Sequence, residues 1–149
     1  MPIHRGTRVL GIDVGSRRVG LAISDASRTL ARPFTTLKVQ GMKDAVDQAA
    51  AQIARLQDEE DGLAAMVVGL PKRLDGSPHQ FGAEVARFIR DLADRTPLPV
   101  LPVDERLTSR EAEQRLAERE RDWRRRKERL DEAAAAILLQ DYLDLARET

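Results

Sequence analysis

The chain has no cysteine, only two histidines and only five aromatic residues among 149. Without cysteine there can be no disulfide scaffold, thiolate zinc site, iron–sulfur cluster or thiol nucleophile. His4 and His79 are too few for an imidazole-built zinc centre. The aromatics are Phe34, Phe81, Phe88, Trp123 and Tyr142, too few for a base-stacking platform, and Trp123 is the best candidate for one. A transmembrane helix needs about 20 apolar residues in a row, and no such run occurs. The basic start is followed only by Val9-Leu-Gly-Ile12 before Asp13, too short for an export-signal core of about 7–15 residues. A cytoplasmic protein with no membrane segment is expected. Net charge is lacking too, since 25 Lys plus Arg balance 25 Asp plus Glu. Neutrality speaks against a nucleic-acid partner only if the charges are evenly spread.

Charged residues make up 34% of the chain and hydrophobic ones 42%, as in a folded globular protein. The length suits one domain, expected over residues 1–149. Arg8-Val-Leu-Gly-Ile-Asp-Val14 reads as a buried strand, and Val19-Gly-Leu-Ala-Ile-Ser24 as its hairpin partner across Gly15-Ser-Arg-Arg18. Pro33 opens a third short strand over 34–39. Ala45, Ala49, Ile53 and Leu56 form one stripe of a helix over 44–59. The run 64–69 is continuously apolar, as in a strand buried on both faces. Ser77-Pro78 reads as a helix start, followed by a stripe of Phe81, Val85, Phe88 and Leu92. Val100-Leu-Pro-Val103 is a further strand, and its Pro102 suits an edge or a bulge. Thr108-Ser-Arg-Glu111 matches a capping box, and an Ala-rich helix is expected over 130–146. The order is a three-stranded antiparallel meander followed by two strand–helix–strand units. That order predicts an α/β fold with a mixed five-stranded sheet, two of its strands parallel, flanked by helices.

Three acids stand out. Asp13 interrupts a buried strand, where a lone carboxylate is costly unless paired, hydrogen-bonded or metal-bound. Backbone donors or Arg17 would also satisfy it at a strand end. Glu105 follows the strand 100–103, at the sheet edge where function gathers in open α/β folds, or it is a solvated strand end. Asp131 opens the expected last helix, where the helix dipole favours an acid in any case. It shares a face with Ala134, Ala135 and Leu138, however, whereas Glu132 is turned away. Three converging carboxylates repel one another, and a hard divalent cation removes that conflict. Oxygen ligands select Mg²⁺ or Mn²⁺ over Zn²⁺. Such a centre suits attack on a phosphodiester.

Four motifs, in order, carry a family resemblance. They are Gly11-Ile-Asp-Val-Gly-Ser-Arg-Arg-Val-Gly-Leu-Ala-Ile-Ser-Asp25; Val68-Gly-Leu-Pro71 with Asp75-Gly76; Val103-Asp-Glu-Arg-Leu-Thr-Ser109; and the segment from Leu130-Asp-Glu-Ala to Asp141-Tyr-Leu143. Together they span nearly the whole chain and resemble the YqgF family, described as Holliday-junction resolvases or pre-16S ribosomal RNA nucleases. The resemblance implies an RNase H-like fold, with Asp13, Glu105 and Asp131 as catalytic acids and metal ligands. It implies a nuclease maturing the 5′ end of pre-16S rRNA, with ribosomal precursor particles as partners, or alternatively a resolvase of branched DNA. Symmetric cutting of a junction needs two active sites, hence a homodimer, whereas a monomer can cut RNA. The family commonly has Asn two residues after the Pro of the second motif. Arg73 stands there, which is either a changed substrate contact or a solvated loop charge.

The basic residues lie beside these motifs. Residues 119–129 hold seven basic residues against three acidic ones, a local charge of +4. Within it, Arg124, Arg125, Arg126 and Lys127 form the densest run; Arg17 and Arg18 follow Asp13, Lys72 and Arg73 follow Pro71, and Arg106 follows Glu105. Arginine grips phosphate bidentately, so these residues are the expected nucleic-acid contacts. A salt-bridged surface helix is the plain alternative. Two other functions stay open: a non-catalytic nucleic-acid-binding module, or an ATP-binding protein. Asp-x-Gly before a basic hairpin resembles the phosphate motif of actin-like and sugar-kinase ATPases, which close two such lobes where this length suits one.

Overall fold

Leu63–Leu70 is apolar throughout and does not alternate, so neither face of this strand belongs in water. It becomes β4, the fourth strand of a computed structural model that describes residues 6–71, 81–104 and 123–148. The elements in order are β1 (Arg8–Val14), β2 (Arg18–Ser24), β3 (Ala31–Lys38), α1 (Met42–Gln57), β4, α2 (Gly82–Ala93), β5 (Val100–Asp104) and α3 (Trp123–Glu148). The sheet order is β3-β2-β1-β4-β5. β1–β2 and β2–β3 are antiparallel, whereas β1–β4 and β4–β5 are parallel. This is the mixed sheet expected from the meander and the two crossovers.

Alternation sorts the strands into two faces. Leu10, Ile12, Val14, Val19, Leu21, Ile23, Met66 and Val68 pack with Ala49, Ile53 and Leu56 of α1 and Val85, Phe88 and Leu92 of α2. Val9, Ala22 and Val67 point to the other face and pack with Ala135, Leu139 and Leu143 of α3. Fully burying a side chain of the Leu or Phe class contributes about 1.5–3 kcal/mol, so each layer anchors its helices firmly. The two strand prolines sit where a missing N–H does least harm. Pro33 is in β3 and Pro102 in β5, the two edge strands.

The structure corrects several expectations. β3 begins at Ala31, ahead of Pro33, which pairs with Ala22. α3 begins no later than Trp123 rather than at Leu130. Asp131 is therefore inside the helix, more than two turns from its first described residue, and the dipole argument for an acid there fails, because that effect fades within the first turn. Glu132 is half-buried rather than turned to solvent, because β3 lies beside it: the Thr36 hydroxyl donates to its Oε2 at 3.3 Å. Ser77, Pro78 and the capping box at 108–111 lie outside the described residues. No helix among the described residues is long and apolar enough to cross a membrane.

The turn between β2 and β3 is organised by Asp25. Its Oδ1 accepts the Thr29 and Leu30 amides at 2.8 and 3.1 Å, and its Oδ2 accepts the Ser27 hydroxyl. The Ser27 hydroxyl first, then the Thr29 and Leu30 amides, hold this carboxyl at about 2, below its ordinary 3.8. A depressed carboxylate pKa gives stability that is present above the unfolded value and lost as pH falls through the folded one. Wild-type stability should therefore decline between about pH 4 and pH 2 with an Asp25 component that Asp25→Asn lacks. Urea unfolding of both proteins across that window tests this, and parallel pH profiles would refute it.

Candidate active site

The site is built where α3 crosses β1 and β2. Gly11 and Gly20 lie on the α3 face of adjacent strands. A Cβ on Gly11 would stand 2.8 Å from Leu139 Cβ and 3.0 Å from the Ala135 carbonyl oxygen. A Cβ on Gly20 would stand 2.0 Å from the Asp131 carbonyl oxygen. The helix backbone thus rests directly on the β2 backbone, which only glycine permits. Asp13 follows Gly11 by two residues, so it lies on the same face, and it is the cross-strand partner of Gly20. The register therefore brings Asp13 and Asp131 together around one glycine.

Burial acts on the two acids. Asp13 is half-buried near the C-terminal end of β1. The Asp131 side chain is about 27% exposed, yet its Oδ2 is shut away from solvent and accepts no hydrogen bond from any described residue. Its nearest compensation is Arg18, on the same face of β2, whose Nε lies 3.2 Å from Oδ2. Burial pushes the Asp131 carboxyl above its ordinary value, and the Arg18 charge opposes that shift. The burial effect is the larger of the two.

A buried carboxylate oxygen without a hydrogen bond, on a sheet face that also carries a second acid, offers donors suited to a hard cation. Asp13 and Asp131 fit that role. Among the described residues no third Asp, Glu or His joins them to complete a set of three. Glu105, the expected third ligand, lies outside the described residues, one position beyond the end of β5. Lys72, Arg73 and Arg106 also lie outside them. Arg124, Arg125, Arg126 and Lys127 are in the first two described turns of α3, on the same continuous helix as Asp131, although their side chains are not described. Arg17 is exposed in the β1–β2 connection.

Two features went unread in the sequence. One is the role of Gly20, which was signalled by a glycine inside an otherwise β-branched and aliphatic strand. The other is the Arg18–Asp131 pair, which joins residues 113 positions apart and left no local signal.

Comparison with known proteins gives this geometry a family. The sequence pattern of RuvX, described as Holliday junction resolvase, matches residues 7–145. A protein of Chloroflexus aggregans is 44% identical over 139 residues, covering 93% of this chain and 94% of its own. One of Natranaerobius thermophilus is 37% identical over 137 residues, covering 92% and 94%. Both carry the provisional name pre-16S rRNA nuclease. Thermus thermophilus RuvC, solved in complex with a Holliday junction substrate, aligns over 97% of this chain and 96% of its own, with a TM-score of 0.55 and 16% identity. That likeness shows the fold, which is RNase H-like. With four motifs in order, a family pattern over almost the whole chain and relatives at these identities, the chain belongs to the RuvX/YqgF family.

Proposed function

We propose that residues 1–149 form a single RNase H-like nuclease domain that hydrolyses phosphodiester bonds in nucleic acid, with Asp13, Glu105 and Asp131 as its catalytic acids. The observation that carries this reading is the buried Oδ2 of Asp131, held without a hydrogen bond on the face it shares with Asp13. Leaving such an oxygen without a hydrogen bond costs the fold stability, whereas a metal-ligand site makes use of it. Asp13 and Asp131, with Glu105, would hold Mg²⁺ or Mn²⁺. When bound, such an ion lowers the pKa of a water and neutralises charge on the phosphate. The chain's own residues orient the substrate. Arg17 and Arg18 on the hairpin, Lys72 and Arg73, Arg106, and the 124–127 run of α3 would grip substrate phosphates.

The names of the relatives favour structured RNA, the 5′ end of pre-16S rRNA within ribosomal precursor particles in the cytoplasm, as the substrate. The family description favours branched DNA instead. Cleavage of both substrates in Mg²⁺ and in Mn²⁺, with Asp13→Asn as the control, tests the reading. RNA cleavage by the wild type alone supports it, and junction cleavage alone, by a dimer, moves the substrate to DNA. No cleavage of either substrate, or equal cleavage by the variant, overturns it.

With few aromatics and many arginines, recognition should follow backbone and shape rather than base identity. Binding should then weaken about 10²-fold between 50 and 200 mM salt if about four phosphates are contacted. Fluorescence anisotropy measures this directly, and a salt-insensitive affinity would refute it.

A further inference from the structure

Arg18 and Asp131 meet in an unusual way. Nε lies 3.2 Å from Oδ2, close enough for an ion pair, yet no aligned hydrogen bond reaches that oxygen. Arginine that stabilises a carboxylate ordinarily does so through parallel N–H···O bonds. Here the guanidinium supplies charge without them. Its backbone is fixed, since the Arg18 carbonyl accepts the Gly15 amide at 2.8 Å. Its side chain is about 29% exposed, so the head has solvent to swing into.

We propose that Arg18 is a displaceable counter-cation, holding the Asp131 carboxylate until a divalent cation takes that oxygen and then releasing its guanidinium to the substrate phosphate. The inference rests on the reading of Asp131 as a metal ligand. A cation bound to the Asp131 Oδ2 would face the Arg18 Nε, now 3.2 Å from that oxygen, and two positive charges held on one oxygen repel. Arg18 and the cation therefore compete for one oxygen, and ligands that compete weaken each other reciprocally. A phosphate arriving at the loaded site would find a guanidinium already desolvated on one side and newly without a partner. Loading the metal would in this way prepare the site for an anion.

The test is Mn²⁺ binding to the full chain without nucleic acid, followed by the electron paramagnetic resonance signal of free Mn²⁺. Wild type should bind, and Asp131→Asn should lose the site. Arg18→Gln should bind Mn²⁺ about fivefold more tightly, the scale of one partly exposed ion pair. Arg18→Lys should lie between Arg18→Gln and wild type. Arg17→Gln, which removes an equal charge from the exposed neighbour, should change the affinity less than about twofold. Damage to the fold would weaken binding, so tightening cannot arise from it. No Mn²⁺ uptake by wild type, or unchanged uptake by Asp131→Asn, overturns the metal-ligand reading itself. If those two behave as expected while Arg18→Gln binds equally or more weakly, the counter-cation proposal alone falls. It also falls if Arg17→Gln tightens binding as much as Arg18→Gln does.

Discussion

Asp13→Asn should slow phosphodiester cleavage by roughly 10³-fold or more while the protein stays folded. Asparagine keeps the size and shape of the side chain, so β1 loses no packing and its pairing with Gly20 survives. The variant loses the negative charge that a hard cation requires. Asp131→Asn should fall as far in rate, with a further signature in stability. A carboxyl whose folded pKa is raised by burial favours the fold when protonated and costs stability once pH rises through that value. At neutral pH the Asp131 charge is therefore a burden on the fold, relieved only in part by Arg18. Asp131→Asn should show no lower unfolding midpoint than wild type at neutral pH while being nearly inactive. Single-turnover cleavage and urea unfolding on the same preparations check both halves. A variant that is active, or inactive only because it is unfolded, would remove Asp13 or Asp131 from the site.

Gly20→Ala should destabilise the protein by about 3 kcal/mol or more, at the upper end of what overpacking costs. The added methyl would stand 2.0 Å from the Asp131 carbonyl oxygen and 2.2 Å from its carbonyl carbon. Both are backbone atoms, so no rotamer change can relieve the clash, and either α3 lifts or β2 bends. Gly11→Ala should cost less, because its closest neighbour is the Leu139 side chain at 2.8 Å, although the Ala135 carbonyl at 3.0 Å limits the relief. Denaturant unfolding should rank wild type above Gly11→Ala above Gly20→Ala. A Gly20→Ala stability within about 1 kcal/mol of wild type would mean that α3 is not seated on β2 as described.

Much of this arrangement was legible beforehand because burial writes itself into local pattern. The unbroken apolar run of β4, the stripe of α1 and the acid between Ile12 and Val14 each carry their cause in a few adjacent residues. The start of α3 did not, because Arg124 to Arg126, Lys127 and Glu128 show no apolar periodicity, and a helix of charged residues leaves no stripe to read. Glu132 was misplaced for another reason. Helical periodicity fixes direction around the axis but not which strand waits there, and β3 with Thr36 comes from nearly a hundred residues earlier. Arg18 was legible as a basic residue near an acid, but its pairing with Asp131 on α3 was not.

The backbone-on-backbone contact at Gly20 has a consequence for the reaction coordinate. No side-chain layer separates α3 from β2 there, so the height of the Asp131 backbone above the sheet is set by main-chain atoms and not by interlayer side-chain packing. Glycine in a strand loses more conformational entropy on folding than any other residue. That loss falls once, when the chain folds. It need not be met again at each turnover, as it would be if Asp131 had to find its place among several orientations. Gly20 is in this sense an element of preorganisation, moving a cost from the transition state of catalysis to the folding of the domain.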